Sequence, residues 1–416
     1  MSFRSSSRDL PVVAAGRGIS VVGDEVALVA LLLWASQAGH GPALVAALVL
    51  AAAVPQLLLA PVSGLAADRL SVRGIVVVTA LLQAVVCLGI AVALPLGSPL
   101  LVVVLVLLRA AGQSFLGPAW QTWVPSLVPA DRLTAALSTV QSTTAAAALV
   151  GPLLGGALVA GAGARWAIAL DAATFVVIAA AALLVSRTPA RSASHSGGRR
   201  ERGALTAGLR VVGADPVIRG YVVVVATVVI ALGALNVAEV FLVTQTLGAG
   251  PTEYGVVATV FAVGLVAGSW AARRVRGDRG AALALVGGTL LMACAAVVLG
   301  LAPSVAVAAA ASCLVGVGNG LLNVLGQTLL VRRAPREVLG RVVSVLQAVV
   351  GAGALVATAV GGVLLTVLDV RAVVVGSGLV TALALLLVGR GLVRAASRPP
   401  TTLASPADQR ELPAAA

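Results

Sequence analysis

Apolar runs alternate with short polar gaps along almost the whole chain. A helix that crosses the hydrocarbon core of a bilayer needs about 20 such residues. Runs of that order fall near 17–37, 42–63, 75–95, 99–121, 137–160 and 166–186, and again near 218–246, 254–272, 281–301, 304–330, 340–366 and 372–393. The pattern predicts twelve membrane spans in two groups of six. Arg4 and Arg8 precede the first run as they would a signal peptide, but the run is too long for that and carries Asp24 and Glu25, so it is read as a retained span.

The gaps set the orientation. Arg69 and Arg73, Arg132, the group Arg273, Arg274, Arg276 and Arg279, and then Arg332, Arg333 and Arg336 all fall on one side. The other side holds only Arg165 and Arg371, at the starts of the sixth and twelfth spans. Positive loops stay inside, which predicts a multi-pass protein of the cell (plasma or inner) membrane with both termini cytoplasmic. Trp34, Trp120, Trp123, Trp166 and Trp270 lie near predicted span ends, where interfacial aromatics belong.

Composition excludes the competing classes. The 416 residues are 60% hydrophobic and 10% charged, with a mean hydropathy of +1.08, against roughly 25% charged in soluble domains. The net charge of +13 could suit a nucleic-acid partner, but the arginines sit in the gaps between spans, as topology requires, so none is expected. Cys87, Cys294 and Cys313 lie apart within apolar runs and read as small buried hydrophobes. His40 and His195 occupy different gaps, so no metal site is expected. Gly316, Gly318 and Gly320 mimic a dinucleotide loop without its preceding strand, and read as helix packing. No nucleophile–base pair can be assembled, which argues against an enzyme.

The Arg-, Ser- and Gly-rich stretch after Ser186 divides the chain. The expected organisation is a six-helix bundle over 1–186, a cytoplasmic linker over 187–215, a second bundle over 216–396 and a disordered cytoplasmic tail over 397–416. The halves repeat at an offset of 206: Gln121 meets Gln327, Thr122 meets Thr328, Pro129 meets Pro335, and Gly155 and Gly156 meet Gly361 and Gly362. Polar matches in register indicate two bundles from one ancestral unit, an arrangement that places a transporter's substrate between the repeats.

Twelve spans, this repeat and GLAADRLSVR after the second span together resemble the major facilitator superfamily. Gly64, Asp68, Arg69 and Arg73 match its loop signature, while Val72 departs from a basic position. RGISVVGDEVALVALLLW and LGPAWQTWVPSLVPADRL further resemble the macrolide-efflux and enterobactin-exporter branch of drug:proton antiporters. The resemblance implies an all-α polytopic fold of two pseudo-symmetric six-helix bundles, with spans one, four, seven and ten around a central cavity. In the fifth span, Gly151, Pro152, Gly155 and Gly156 resemble the antiporter motif of proton-driven exporters, incompletely, because Ala147 and Ser138 stand where it expects glycine. Generic small-residue packing is the plainer reading of the same glycines.

Charges inside spans are costly and mark candidate functional positions. Asp24, Glu25, Arg109 and Glu239, with Asn319 and Asn323, fall on the spans that the resemblance places around the cavity. Arg109 is expected near mid-membrane and Asp24 about 10 Å up from the cytoplasm at 1.5 Å per residue. Those depths allow an Asp24–Arg109 pair, which serves either proton coupling or static helix pairing. Consecutive helical residues point about 100° apart, so at most one of Asp24 and Glu25 faces the cavity. Asp171, in a peripheral span, is expected to be a structural hydrogen-bond partner. Glu239 is suited to binding a cation, gating the outer mouth or reaching outer water.

By resemblance, Asp68 faces the start of the eleventh span, whose positive helix end would stabilise it and latch the cytoplasmic side. Gly64 would let the second and third spans turn closely. Ala272 replaces the acid in the second copy, so a single latch is expected. The expected function is proton-coupled efflux of a small, partly hydrophobic compound (a drug, siderophore or secondary metabolite) by alternating access. The alternatives are an importer or facilitator of a small nutrient, and a non-transporting sensor or scaffold. The expected partners are that substrate, protons and membrane lipids. The proton gradient drives transport without a cofactor, and the protein is expected to be a monomer.

Overall fold

The structure, a computed structural model, describes residues 6–37, 39, 41–128, 132–185, 209, 211–334 and 336–398. Twelve helical spans run in order, with no strand among the described residues. The first six are α1 (Ser6–Gln37), α2 (Gly41–Arg69), α3 (Val72–Ala93), α4 (Pro99–Leu127), α5 (Leu133–Ala162) and α6 (Ala164–Leu184). In the second half, α7 is Pro216–Leu232 continued by Leu235–Phe241, and α8 is Pro251–Ala271. They are followed by α9 (Gly277–Gly300), α10 (Val305–Arg333), α11 (Arg336–Val367) and α12 (Val370–Ala396). Most of the expected linker and tail, and both histidines, lie outside the described residues.

The internal repeat shows in the ends of the fourth and tenth spans and in the starts of the sixth and twelfth. α4 and α10 are both 29 residues long, and each boundary of one recurs 206 residues later in the other. α6 and α12 likewise start 206 residues apart, at Ala164 and Val370. Local chemistry stops and starts these helices. Asp215 caps α7 by accepting from the Val217 and Ile218 amides at 2.7 and 3.1 Å, satisfying donors that have no intrahelical partner. Asp369 accepts from Arg371 N at the head of α12. Arg371 in turn donates to the Gly300 and Ala302 carbonyls, at 2.9 and 3.0 Å, closing the end of α9.

Large apolar side chains cover the outside, with Leu100 75% and Leu387 77% exposed. Such a surface is stable against lipid rather than water. Two apolar cores lie within. One combines the first half with the ends of the second that lie away from the chain termini, including Val237, Phe241, Val257 and Val373. The other belongs wholly to the second half, around Ile218, Leu285, Leu325 and Val345. The halves are therefore fused at the face distal to the chain termini and keep separate cores toward the face that carries them.

The paired glycines make that fusion. A Cβ on Gly156 would lie 3.0 Å from Gly255 Cα of α8, and it would run into the Pro251 carbonyl. Its repeat mate Gly362 touches α2, with a Cβ placed 2.5 Å from that of Ala46. Gln245 Nε2 donates to the Ser36 carbonyl at 3.0 Å across the same seam.

Two expectations about local structure change. Gly64 lies inside α2 rather than at the turn, and a side chain there would meet nothing within 4 Å. The turn falls at Leu70–Ser71 instead. Trp120 and Trp123, expected at the interface, are buried and stack at 5.3 Å, because α4 continues past them to Leu127. Trp166 and Trp270 are exposed.

Candidate functional site

Three helices of the first half converge on one guanidinium. Arg109 Nη2 on α4 lies 2.6 Å from Asp24 Oδ1 on α1 and 2.8 Å from Asp171 Oδ2 on α6. Gln113, one helical turn beyond Arg109, donates its Nε2 to both oxygens of Asp24, at 2.9 and 3.0 Å. Asp171 also accepts from Cys87 Sγ at 3.4 Å and from Thr174 Oγ1 at 3.3 Å. The guanidinium carbon stands 5.6 Å from the centre of the Phe175 ring, a favourable place for a cation.

The helices can meet here because α1 has Gly23 beside Asp24. A Cβ at that position would fall 2.6 Å from Asp171 Oδ1. α1 also begins earlier than its apolar run suggests, with its span reaching back to Asp9. Asp24 thus lies about 22 Å along the helix from Asp9 at 1.5 Å per residue. Asp171, read as a peripheral hydrogen-bond partner, is an ion-pair partner of Arg109 and belongs to the cluster.

The two carboxylates differ in access. The Asp24 side chain is 21% exposed and that of Asp171 is fully buried. Glu25 points elsewhere, toward Gly151 on α5, where a Cβ would lie 3.0 Å from Glu25 Cγ. Gly155 of the same motif faces α1 at Val26, and Gly156 faces α8. The motif thus places α5 against α1 on one side and against the opposite half on the other. Arg17, two turns before Asp24, sits 5.8 Å over the Trp120 ring, and its charge also acts on Asp24. Neither Arg17 nor Gln113 was singled out from the sequence. Both lie on the helix face of a residue that was, since positions three, four and seven apart share a face.

Among the described residues, the second half holds no comparable ion cluster around its cavity. A cavity of about 300 Å³ lies between α7, α8, α9, α10 and α11. Asn236, Glu239, Ser312 and Asn319 supply its polar atoms, and Phe261 and Met292 are part of its apolar wall. Ser312 Oγ donates to Glu239 Oε1 at 3.1 Å. α7 is interrupted at Gly233–Ala234 beside this cavity, and after Phe241 it continues as a π-helical turn over Leu242–Thr246. Every residue of the wall belongs to the second half, so the cavity lies within that bundle. Asn323 lies one turn from Asn319, hydrogen-bonds to it, and is not part of the wall.

The loop signature is only partly visible. The side chains of Asp68 and Arg69 are not among those described. Arg73 donates to the Leu183 carbonyl at 2.5 Å, tying α3 to the end of α6, and the cation suits that helix terminus. In the second half, where Ala272 stands in place of the acid, Asp278 makes ionic contacts at the terminal face. It binds Arg333 Nε at 2.7 Å and lies 3.5 Å from Arg332. Arg333 Nη2 donates on to the Ala396 and Arg398 carbonyls at the end of α12. Of the cysteines expected to be buried, Cys87 is buried and Cys294 is exposed.

Two six-helix bundles, an interrupted helix at a cavity and an ion cluster within the membrane define a membrane transporter, not an enzyme. The chain belongs to the transmembrane secretion effector family of the major facilitator superfamily, whose family profile matches residues 14–409. No curated protein matches it.

Solved structures share the fold. A bacterial homologue of the human lysosomal transporter Spinster, inward-facing and unoccupied, is 15% identical over 95% of this chain and 98% of its own, with a TM-score of 0.69. A bacterial homologue of the iron transporter ferroportin, also inward-facing, is 18% identical over 96% of this chain and 100% of its own, with a TM-score of 0.69. The nucleoside transporter NupG is 11% identical over 94% of this chain and 100% of its own, with a TM-score of 0.69.

Proposed function

We propose that the protein is a proton-coupled exporter of small, partly hydrophobic compounds, working by alternating access in the cell membrane with both termini in the cytoplasm. The observation that carries this reading is the sharing of Arg109 between one accessible and one inaccessible carboxylate. Arg109 keeps its charge throughout, because a guanidinium does not titrate usefully. Protonation of Asp24 removes its half of the ion pair, and Arg109 then rests on Asp171 alone. α1 is released from α4 while α4 and α6 stay joined.

The described arrangement supports a cycle in that direction. Its halves are sealed at the distal face through Gly156 and Gly255, and their cores part toward the terminal face. Under the proposed orientation this is the inward-open state, with Asp24 ionised and a compound admitted from the cytoplasm. Closure around that compound opens the outer face, where a proton reaches Asp24 and the compound leaves. Asp68 latches the cytoplasmic face in the outward-open state through the start of α11.

Everted membrane vesicles carrying the protein provide the test. Energised vesicles should accumulate a lipophilic test compound, and a protonophore should abolish the accumulation. Accumulation that is indifferent to the protonophore would reject proton coupling.

A further inference from the structure

We infer that the cavity of the second half binds small amphipathic organic cations, with the ammonium group on Glu239 and the apolar body along Phe261 and Met292. The inference rests on the transporter reading and adds to it the substrate class and the side chain that selects it.

Glu239 is the one carboxylate of the cavity wall, and no arginine lines it. Its protein hydrogen bond comes from a neutral hydroxyl, Ser312. α1, α2, α11 and α12 also pack against this part of α7, and among the described residues none of them, the charged Asp24 and Glu25 of α1 included, brings a charged side chain to the wall. In the first half Asp24 and Asp171 share the guanidinium of Arg109, whereas Glu239 has no such partner among the described residues. A carboxylate in a low-dielectric site without a counter-charge is costly, and it is relieved by a proton or by a cation that enters.

The remaining wall decides what kind of cation. A calcium or magnesium ion takes about six or more oxygen ligands, and this wall offers one carboxylate, two amides and a hydroxyl among apolar groups. An ammonium group needs fewer. Its N–H groups can donate to Glu239 and to the amide oxygens of Asn236 and Asn319, and the Phe261 ring adds a cation–π surface. The apolar majority of the wall then covers a hydrocarbon body. The interruption of α7 at Gly233–Ala234 lies in the same wall, so a ligand there bears directly on the break in that helix.

The test uses purified full-length protein in lipid nanodiscs, without any gradient, and isothermal titration with phenylbutylamine and its uncharged counterpart phenylbutanol. Native protein should bind the amine at least about tenfold more tightly than the alcohol, or about 1.4 kcal/mol. Glu239→Gln should erase that preference, while Glu239→Asp and Ser312→Ala keep it. No preference in native protein, or an unchanged preference in Glu239→Gln, overturns the inference. Either result leaves the proton-coupled reading standing, because the binding measurement involves no proton gradient and the vesicle assay does not depend on a cationic compound.

Discussion

Asp24 and Asp171 meet the same nitrogen of Arg109, at 2.6 and 2.8 Å, yet one side chain is 21% exposed and the other is sealed from solvent. That asymmetry divides the labour between them. Asp171 is held by Arg109, Cys87 and Thr174 and anchors the cation. Asp24 can be reached and can exchange its partner for a proton.

The division of labour makes opposite demands on the two acids. Asp171→Asn leaves a buried guanidinium with half its compensation, and breaking a buried pair costs about 3 kcal/mol or more. Its thermal unfolding in detergent should fall well below that of native protein. Asp24→Asn should fall less, because its site is partly open and the amide can still accept from Gln113. Equal losses in the two variants would remove the distinction.

The distal seam depends on backbones approaching over Gly156 and Gly255. Gly156→Val would drive a side chain into the Pro251 carbonyl and the Gly255 backbone, so α5 and α8 must part. Spin labels on the distal ends of these helices should report a longer distance and a population shifted toward distal opening. An unchanged distance distribution would show that the seam does not hold this state.

Asp278 joins the heads and tails of three helices at the terminal face. Asp278→Ala would leave Arg333, whose side chain is 3% exposed, without its carboxylate, at a cost of about 3 kcal/mol. Limited proteolysis should then cut sooner after α12, whose end Arg333 holds through the Ala396 and Arg398 carbonyls. Unaltered proteolysis would reduce Asp278 to a surface charge.

The interruption of α7 is tightly packed. A Cβ on Gly233 would lie 2.5 Å from that of Ala357 on α11 and would collide with the Val229 carbonyl. Gly233→Val should therefore reduce transport several-fold while membrane insertion, measured by surface labelling or fractionation, stays normal. Normal transport would mean that the break in α7 has no part in the cycle.

Much of this was legible in the sequence, for a physical reason. Lipid demands long apolar runs and confines arginine to the gaps, so span number and pairing of the halves follow from hydropathy and from polar matches such as Gln121 with Gln327. Depth arithmetic brought Asp24 and Arg109 within reach of each other. It did not anticipate that α1 continues through the polar residues before its apolar run. The role of Asp171 was hidden because a pairing depends on the rotation of three helices about their axes, and spacing along one helix does not carry that. The buried Trp120–Trp123 stack was missed because apolar length does not mark where a helix leaves the membrane. The pairing of Asp278 with Arg332 and Arg333 was hidden because these residues are distant in sequence. The break in α7 had only Gly233 to announce it, one glycine among many.

The central claim is that Asp24 carries the exchanged proton while Arg109 stays anchored on Asp171. Reconstituted Asp24→Asn protein tests it most directly, through two assays on the same liposomes: uphill transport driven by an imposed pH gradient, and gradient-free exchange of labelled for unlabelled compound. The account predicts that the variant loses the first and retains the second. Uphill transport at the native rate in Asp24→Asn would contradict it.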